Sequence, residues 1–190
     1  INNTYMGIDA GYGVATKSHS GCVFIGANAG VTAYTGDNNI AIGYGAMDDV
    51  NADDTVGASE ENVFIGKDSG GGTWVTAASD NNVGIGSYVM DAAMNNADNN
   101  TAVGYSALGG LTEGDNNVAL GTSALFALTT GGNNVSIGYQ AMDAATTSQD
   151  NIAIGIAAMG NINHANSNNN IAIGSYAGDG MGTLDGNANN

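Results

Sequence analysis

Short apolar phrases of one pattern recur along the whole chain, separated by polar stretches of uneven length. Each phrase has an Asn-like pair, a β-branched residue, a small or aromatic residue, an aliphatic residue and then Gly; residues 116–121, for example, read Asn-Asn-Val-Ala-Leu-Gly. The closing glycines lie 17 to 23 residues apart, at Gly7, Gly26, Gly43, Gly66, Gly86, Gly104, Gly121, Gly138, Gly155 and Gly174. A fixed phrase with gaps of variable length is typical of a stacked array of structural repeats.

The apolar positions within each phrase predict a short β-strand. The residues three and one before the glycine are β-branched or aliphatic in nearly every repeat, and they lie two apart. In a strand such a pair faces the same side, and β-branched side chains favour this pleated backbone. We therefore expect the pair to face the interior of each repeat.

The residue between the two members of the pair would then face the opposite side. It is aromatic at Tyr5, Phe24 and Phe64, and small in the other repeats. A column of small residues favours close packing against another layer or chain, with a plain exposed strip as the alternative. The predicted packing strip consists of Ala41, Gly84, Ala102, Ala119, Ser136, Ala153 and Ala172.

A column of asparagines lies four residues before the glycines, with Cys22 in the one remaining place. Amides stacked at the same corner of successive coils can hydrogen-bond along the stack. Asn also tolerates the left-handed backbone that a corner requires, and the repeat glycine supplies a bend that a Cβ would obstruct. The predicted ladder consists of Asn3, Asn39, Asn62, Asn82, Asn100, Asn117, Asn134, Asn151 and Asn170.

A second motif follows each glycine. The third residue on is small in nearly every repeat, and the fourth is always Gly, Met or Leu, which indicates a second inward position. Together the motifs predict an all-β fold, a parallel β-solenoid or β-roll of about ten coils with 17–23-residue repeats. We expect residues 1–190 to form a single repeat domain that is uncapped at both ends. Rungs stack at about 4.8 Å, so such a rod would be roughly 50 Å long.

The phrase from Asn99 to Leu108, NNTAVGYSAL, resembles the NTAVGY-x-AL repeats of phage tail fibres and bacterial surface proteins. It is also similar to the head repeats of trimeric autotransporter adhesins of the YadA type, although coils in that family are shorter. The resemblance covers essentially the whole chain, repeat by repeat. It implies a left-handed β-roll in which three chains pack around one axis.

The charge balance narrows the classes of partner. The chain carries 18 acidic residues against Lys17 and Lys67, for a formal net charge of −16. Such a surface repels nucleic acid and anionic lipid, and no apolar run is long enough to predict membrane insertion. The acidity favours saline, extracellular surroundings: a cell surface or a virion surface.

Candidate chemistry is sparse. The carboxylates and amide of Asp48, Asp49, Asn51, Asp53 and Asp54 crowd one loop, and oxygen ligands at that density suit Ca²⁺. A diffuse acidic loop without a bound ion is the stronger alternative, and we expect no other cofactor.

The remaining reactive side chains are isolated in the sequence. His19 and His164 lie in loops far apart along the chain, and Cys22 is expected to be a buried, inert thiol. No triad, phosphate-binding loop or pair of catalytic carboxylates is recognisable, so we expect a protein that is not an enzyme.

Two structural roles remain as predictions. The first is an adhesive fibre module, a segment of a surface adhesin or viral tail fibre that acts as a stiff spacer and presents its loops to a host receptor or glycan. The alternative is a self-assembling extracellular filament subunit whose in-phase terminal coils stack end to end, since Asn189 and Asn190 begin a new phrase and Asn2 and Asn3 continue one. Both roles predict a homo-oligomer, either a trimer or a linear polymer.

Overall fold

The computed structural model describes residues 2–13, 19–31, 36–49, 58–74, 77–162 and 167–180. Within these ranges the fold is all-β, with ten parallel strands in one sheet arranged as a β-solenoid. Each strand is three residues long, and the chain returns to the next rung after every strand. The strands are β1 Thr4–Met6, β2 Val23–Ile25, β3 Ile40–Ile42, β4 Val63–Ile65, β5 Val83–Ile85, β6 Thr101–Val103, β7 Val118–Leu120, β8 Val135–Ile137, β9 Ile152–Ile154 and β10 Ile171–Ile173.

The strands pair in sequence order and without a shift in register. Thr4 lies opposite Val23, Val23 opposite Ile40, and the same alignment continues to Ile152 opposite Ile171. Equivalent positions of all ten repeats therefore form straight columns along the rod, whatever the length of the intervening loop. The predicted parallel solenoid with 17–23-residue repeats is confirmed.

The predicted orientation of the strands is wrong. In β2 to β9 the middle residue is fully buried in a single chain, whereas the two flanking aliphatic residues are partly or largely exposed. The small residues expected to pack outwards instead line the interior of the coil: Ala41, Gly84, Ala102, Ala119, Ser136, Ala153 and Ala172. A coil with one short strand is too thin to hold two branched side chains from each rung, so the smaller residue takes the inside.

The interior is filled by complementary volumes at two positions of each repeat. Where the middle strand residue is small, the fourth residue after the glycine is usually a buried Met or Leu, as in Ala119 with Leu125. Where the middle residue is aromatic, that fourth residue is Gly, because a Cβ on Gly30 would lie 2.6 Å from the Phe24 ring. This exchange keeps the core closely packed from rung to rung.

The repeat glycine allows neighbouring coils to approach each other. Gly121 has φ +143°, and a Cβ there would collide with the carbonyl oxygen of Gly138 in the next coil. Left-handed backbone is needed at three further positions of each repeat, one of which is the residue just before the ladder asparagine, such as Asn99 (φ 59°) and Asn116 (φ 58°). The first residue of the pair, which is Asn in most repeats, therefore makes the corner, and the second is free to form the ladder.

Candidate functional site

The asparagine ladder is continuous over eight coils. From Asn62 to Asn170, each ladder Nδ2 donates to the Oδ1 of the preceding asparagine at 3.0–3.2 Å, and the first acceptor is Asn39. The same Oδ1 also accepts the backbone N–H of the next asparagine, at 2.9 Å for Asn117 onto Asn100. The second Nδ2 proton goes to a backbone carbonyl of the following coil, such as Gly131 at 3.0 Å from Asn117. Each interior ladder amide thus makes four hydrogen bonds while fully buried.

Cys22 interrupts this ladder near its start. Its backbone N–H still donates to Asn3 Oδ1 at 2.9 Å, and its Sγ lies 3.4 Å from the carbonyl oxygen of Gly36, where an amide would otherwise donate. Burial raises the pKa of the Cys22 thiol. A neutral, buried thiol of this kind fills a structural place, as expected from the sequence.

Asn170 is the last ladder asparagine among the described residues. Asn170 is 1% exposed, and its Oδ1 has no hydrogen-bond partner in the described part of the chain. In the preceding coils the same atom accepts two hydrogen bonds from the next asparagine, as Asn134 Oδ1 does from Asn151. The last described coil therefore presents a buried acceptor toward the position of a further rung.

The two residues that flank the middle of each strand, apolar except for Thr4 and Thr101, form an exposed surface that we call the strand face. It consists of the two outward columns, Thr4, Val23, Ile40, Val63, Val83, Thr101, Val118, Val135, Ile152 and Ile171 with Met6, Ile25, Ile42, Ile65, Ile85, Val103, Leu120, Ile137, Ile154 and Ile173. Even at mid-rod these residues remain in contact with solvent, with Val103 37% and Leu120 36% exposed. At the ends the exposure rises to 65% for Met6 and 69% for Ile173.

Charge is absent from the strand face although the protein is strongly acidic. Neither outward column contains an ionisable side chain, and the adjoining column after the glycines contains one side chain that is charged at neutral pH, Lys67. That adjoining column also places exposed tyrosines beside the face, at Tyr44, Tyr105 and Tyr139. The acidic residues of the described coils lie on the turns and loops, so the face is an apolar stripe on an anionic rod.

The acidic loop predicted to bind Ca²⁺ is described only in part. Asp48 and Asp49 lie in the structure, whereas Asn51, Asp53 and Asp54 lie outside the described residues. Asp48 instead faces acidic residues of neighbouring coils, and a Cβ on Gly71 would lie 3.0 Å from Asp91 Oδ1 and 3.3 Å from Asp48 Oδ1. Burial, together with the charges of Asp68, Asp49 and Asp91, raises the pKa of Asp48 to about 6.

No group of three or more His, Cys, Asp or Glu side chains within the described ranges is arranged to hold a metal ion. The calcium site stays a prediction, because three of its five proposed ligands are outside those ranges.

The histidines are not brought together. His19 packs against Tyr5 and Phe24 at the first coils, and its Nε2 contacts the Tyr5 hydroxyl. Burial lowers the pKa of His19 and raises that of Tyr5 to about 12, so both groups are neutral near pH 7. His164 lies outside the described residues. The structure thus gives His19 aromatic packing contacts and a contact with the Tyr5 hydroxyl.

Comparison with known proteins gives no relative. No family model, no curated protein and no solved structure matches this chain. Among the described residues, none forms a helix with the length and apolar character needed to cross a membrane. The functional argument therefore rests on the surfaces of the solenoid itself.

The strand face is the feature that the sequence interpretation missed, and a signal for it was present. The three aromatic middle residues, Tyr5, Phe24 and Phe64, are each followed by Gly six residues later, whereas small middle residues are followed there by Met or Leu in all but the last repeat. Such compensation between two positions indicates that they share one enclosed space. It places the middle residue inside and the aliphatic pair outside.

Proposed function

We propose that this protein is a non-enzymatic, extracellular fibre module whose chains associate side by side through the strand face. The observation that carries the proposal is a continuous apolar stripe on a protein with a net charge of −16. The resemblance to tail-fibre and adhesin-head repeats supports the same assignment and favours three chains around one axis. The proposal assigns no reaction and no cofactor.

The dimensions of the strand face suit a second copy of this chain. Ten rungs in register extend over about 43 Å at a spacing of about 4.8 Å, and the columns are straight along that length. Exposed apolar patches of several hundred Å² on a soluble protein mark interaction sites. A second rod with the same spacing can match the stripe along its full length, which a compact globular partner cannot.

The charge distribution favours the same partner. Two acidic rods repel each other wherever their loops approach, whereas the strand face contains no charge. Association face to face therefore keeps the carboxylates in water. The valines and isoleucines of the face are stiff at χ1, so burying them costs little side-chain entropy.

Placing charges on the strand face tests the proposal. Val103 and Leu120 are adjacent in register at mid-rod, so Val103→Lys/Leu120→Lys introduces two ammonium groups into the stripe. Thr130→Lys/Thr147→Lys is the matched control, with exposed positions in adjacent coils on the loop side. Both pairs reduce the net negative charge equally, so general repulsion between chains is eased to the same extent.

We expect the molar mass from light scattering to be that of a trimer for the natural chain and the loop control. The face variant should dissociate at least 100-fold more readily, because burying two unpaired charges is strongly unfavourable. A natural chain that is monomeric with a stable fold, or a face variant that associates as well as the control, would overturn the proposal.

The receptor or glycan expected from the sequence is a further proposal. The loops between rungs vary in length and carry most of the polar side chains, which suits them to contact a partner while the rod supplies rigidity. Binding of the assembled fibre to cells or glycans, compared with loop-exchanged variants, tests this role separately from assembly.

A further inference from the structure

We infer that a row of tyrosine, hydroxyl and amide side chains beside the strand face binds an uncharged, extended β-1,4-linked polysaccharide that runs along the rod. The row follows the repeat glycines in the coils of β5 to β8, and we call it the tyrosine strip. It consists of Tyr88, Tyr105, Thr122, Tyr139 and Gln140. The site lies on the rod itself, apart from the loop contacts proposed above, and does not depend on lateral association.

The strip is straight because equivalent residues repeat from coil to coil. Tyr105, Thr122 and Tyr139 each follow a repeat glycine directly, and strands β6, β7 and β8 pair in order without a shift in register. The backbone is aligned at this level too, since the carbonyl oxygen of Tyr105 accepts the N–H of Ser123 at 2.9 Å. Tyr105 and Tyr139 are therefore two rungs apart, or about 9.6 Å along the rod.

The tyrosine rings are large contact surfaces that the fold leaves in water. Tyr105 is 55% and Tyr139 is 53% exposed, and Thr122 between them is exposed as well. Tyr88 holds the start of the row in place: Lys67 Nζ lies 4.7 Å from its ring centroid, and the Tyr105 ring packs edge-on at 5.6 Å. Rigid, amphipathic tyrosines supply binding area at a low cost in conformational entropy, which makes such a row suited to recognition.

The spacing of the rings indicates the ligand. Rings on neighbouring rungs are too close to lie flat side by side, whereas rings two rungs apart have room to do so. In an extended β-1,4-linked hexose chain, each sugar advances by nearly one rung and is turned over relative to its neighbour. Tyr105 and Tyr139 would thus meet alternate sugars that present the same face, whose C–H hydrogens pack on the negative face of an aromatic ring. The sugar between them lies at Thr122, whose hydroxyl group donates or accepts a hydrogen bond.

The distribution of charge restricts the ligand to an uncharged polysaccharide. The strip contains no carboxylate, ammonium or guanidinium group, and it begins beside the ion pair of Lys67 with Asp68 at 3.1 Å in the coil of β4. The chain as a whole carries a net charge of −16, so it repels carboxylated or sulfated glycans. A neutral chain meets no such repulsion, and the hydroxyl and amide groups of the strip match its own hydroxyl groups.

Titration calorimetry with cellohexaose and chitohexaose tests the site on the 190-residue chain. Tyr105→Ala/Tyr139→Ala should weaken binding by roughly 30-fold, because two ring contacts are lost. Tyr12→Ala/Tyr176→Ala is the matched control, since it removes two exposed tyrosines outside the strip and should bind like the natural chain. An oligomer of β-1,4-linked mannuronate, which carries a carboxylate on every sugar, should bind more weakly than either hexaose.

An exchange of two side chains tests the spacing at constant composition. Tyr105→Thr/Thr122→Tyr moves one ring to the rung next to Tyr139, where the two rings are too close for both to lie flat under the sugar chain. We expect binding to weaken by roughly 5-fold, since one ring contact is lost. Both positions are exposed, so the circular-dichroism melt should remain that of the natural chain.

Light scattering on the same variants separates this site from lateral association. The tyrosines lie outside the two outward columns, so we expect Tyr105→Ala/Tyr139→Ala to keep the molar mass of the natural chain. A monomeric natural chain that binds the hexaoses would support this inference while contradicting lateral association. If the tyrosine variant dissociates, the rings belong to the interface between chains and the inference is wrong. A natural chain that binds neither hexaose, or an exchanged variant that binds as tightly, would also refute it.

Discussion

At the residue scale, the core depends on an exchange of volume between two positions six residues apart. Phe64 occupies the space above Gly70, where a Cβ would lie 2.9 Å from the ring, whereas Ala119 leaves room for the side chain of Leu125. Both solutions fill the same cross-section of the coil. Each position therefore constrains the other, although neither residue type is required by itself.

This exchange predicts strong coupling between Ala119 and Leu125. Ala119→Phe alone should overpack the coil and lower the free energy of unfolding by about 3 kcal/mol. Adding Leu125→Gly should recover a large part of that loss, since it reproduces the Phe64–Gly70 arrangement and Leu125 already has φ 53°. Thermal melts of the two single variants and the double variant measure the coupling, and additive losses would contradict it.

The buried ladder amides make a second prediction at this scale. Asn117→Leu removes the acceptor of both Asn134 donors and leaves Gly131 without its donor, so we expect a loss of about 3 kcal/mol or more. Asn133→Gly is the control, because this neighbouring residue is exposed and has φ 59°, which glycine adopts without strain. Chemical denaturation compares the two, and equal effects would argue against a structural ladder.

The carboxyl of Asp48 predicts an unusual pH response. A pKa raised to about 6 in the fold, against 3.8 as the ordinary value, means that the folded chain binds this proton more tightly than the unfolded chain. The resulting loss of stability is absent below about pH 3.8, grows as the pH rises from 3.8 to about 6, and is complete above about pH 6. Burial also raises the pKa of Asp91, Asp98 and Asp143, which adds in the same direction.

We therefore expect the melting temperature to rise as the pH falls from about 7 to about 5. Asp48→Asn should raise the melting temperature at pH 7 and flatten its dependence on pH. The gain in the free energy of unfolding at pH 7 should be about 1 kcal/mol or less, because solvent screens this carboxyl group. Glu60→Gln removes an exposed charge and serves as the control. Adding Ca²⁺ or a chelator to the same melts tests the predicted calcium site, and identical curves would count against it.

At the scale of the element, the strand positions could be read from the sequence but the side they face could not. The glycine spacing marks each three-residue strand correctly, because the phrase repeats unchanged while the loops vary. In the Val-Ala-Leu of β7 all three residues are apolar, so alternation carries no signal for which side is buried. The usual expectation that larger aliphatic residues face inward fails here, because the coil is narrow and the outer face is apolar too.

The close approach of neighbouring elements gives a prediction that separates collision from backbone strain. Gly121→Ala places a Cβ against Gly138 and also strains φ, whereas Gly174→Ala adds only the strain, because no described atom lies nearer than 3.9 Å. In isolated chains at low salt, Gly121→Ala should be far more destabilising. Gly160→Ala, which has no positive φ and no contact under 3.3 Å, should be nearly neutral in circular-dichroism melts.

At the scale of the whole molecule, the rod combines strong self-repulsion with surfaces suited to self-association. Eighteen acidic residues against two basic ones repel both within a chain and between chains. The uncharged strand face is the place where that repulsion is weakest. Assembly should therefore be controlled by ionic strength, with the fold and the lateral interface strengthened together.

The salt dependence is a prediction in its own right. Raising NaCl from about 0.02 to about 0.5 M shortens the Debye length from roughly 20 Å to about 4 Å, so repulsion between coils is largely screened. We expect the melting temperature to rise by several degrees over this range, even for Val103→Lys/Leu120→Lys, in which lateral association is blocked. The natural chain should show a larger rise that also depends on protein concentration, because it gains intermolecular contacts as well. If the rise is the same for both chains and independent of concentration, salt acts only within the coil, and the apolar face is not an interface.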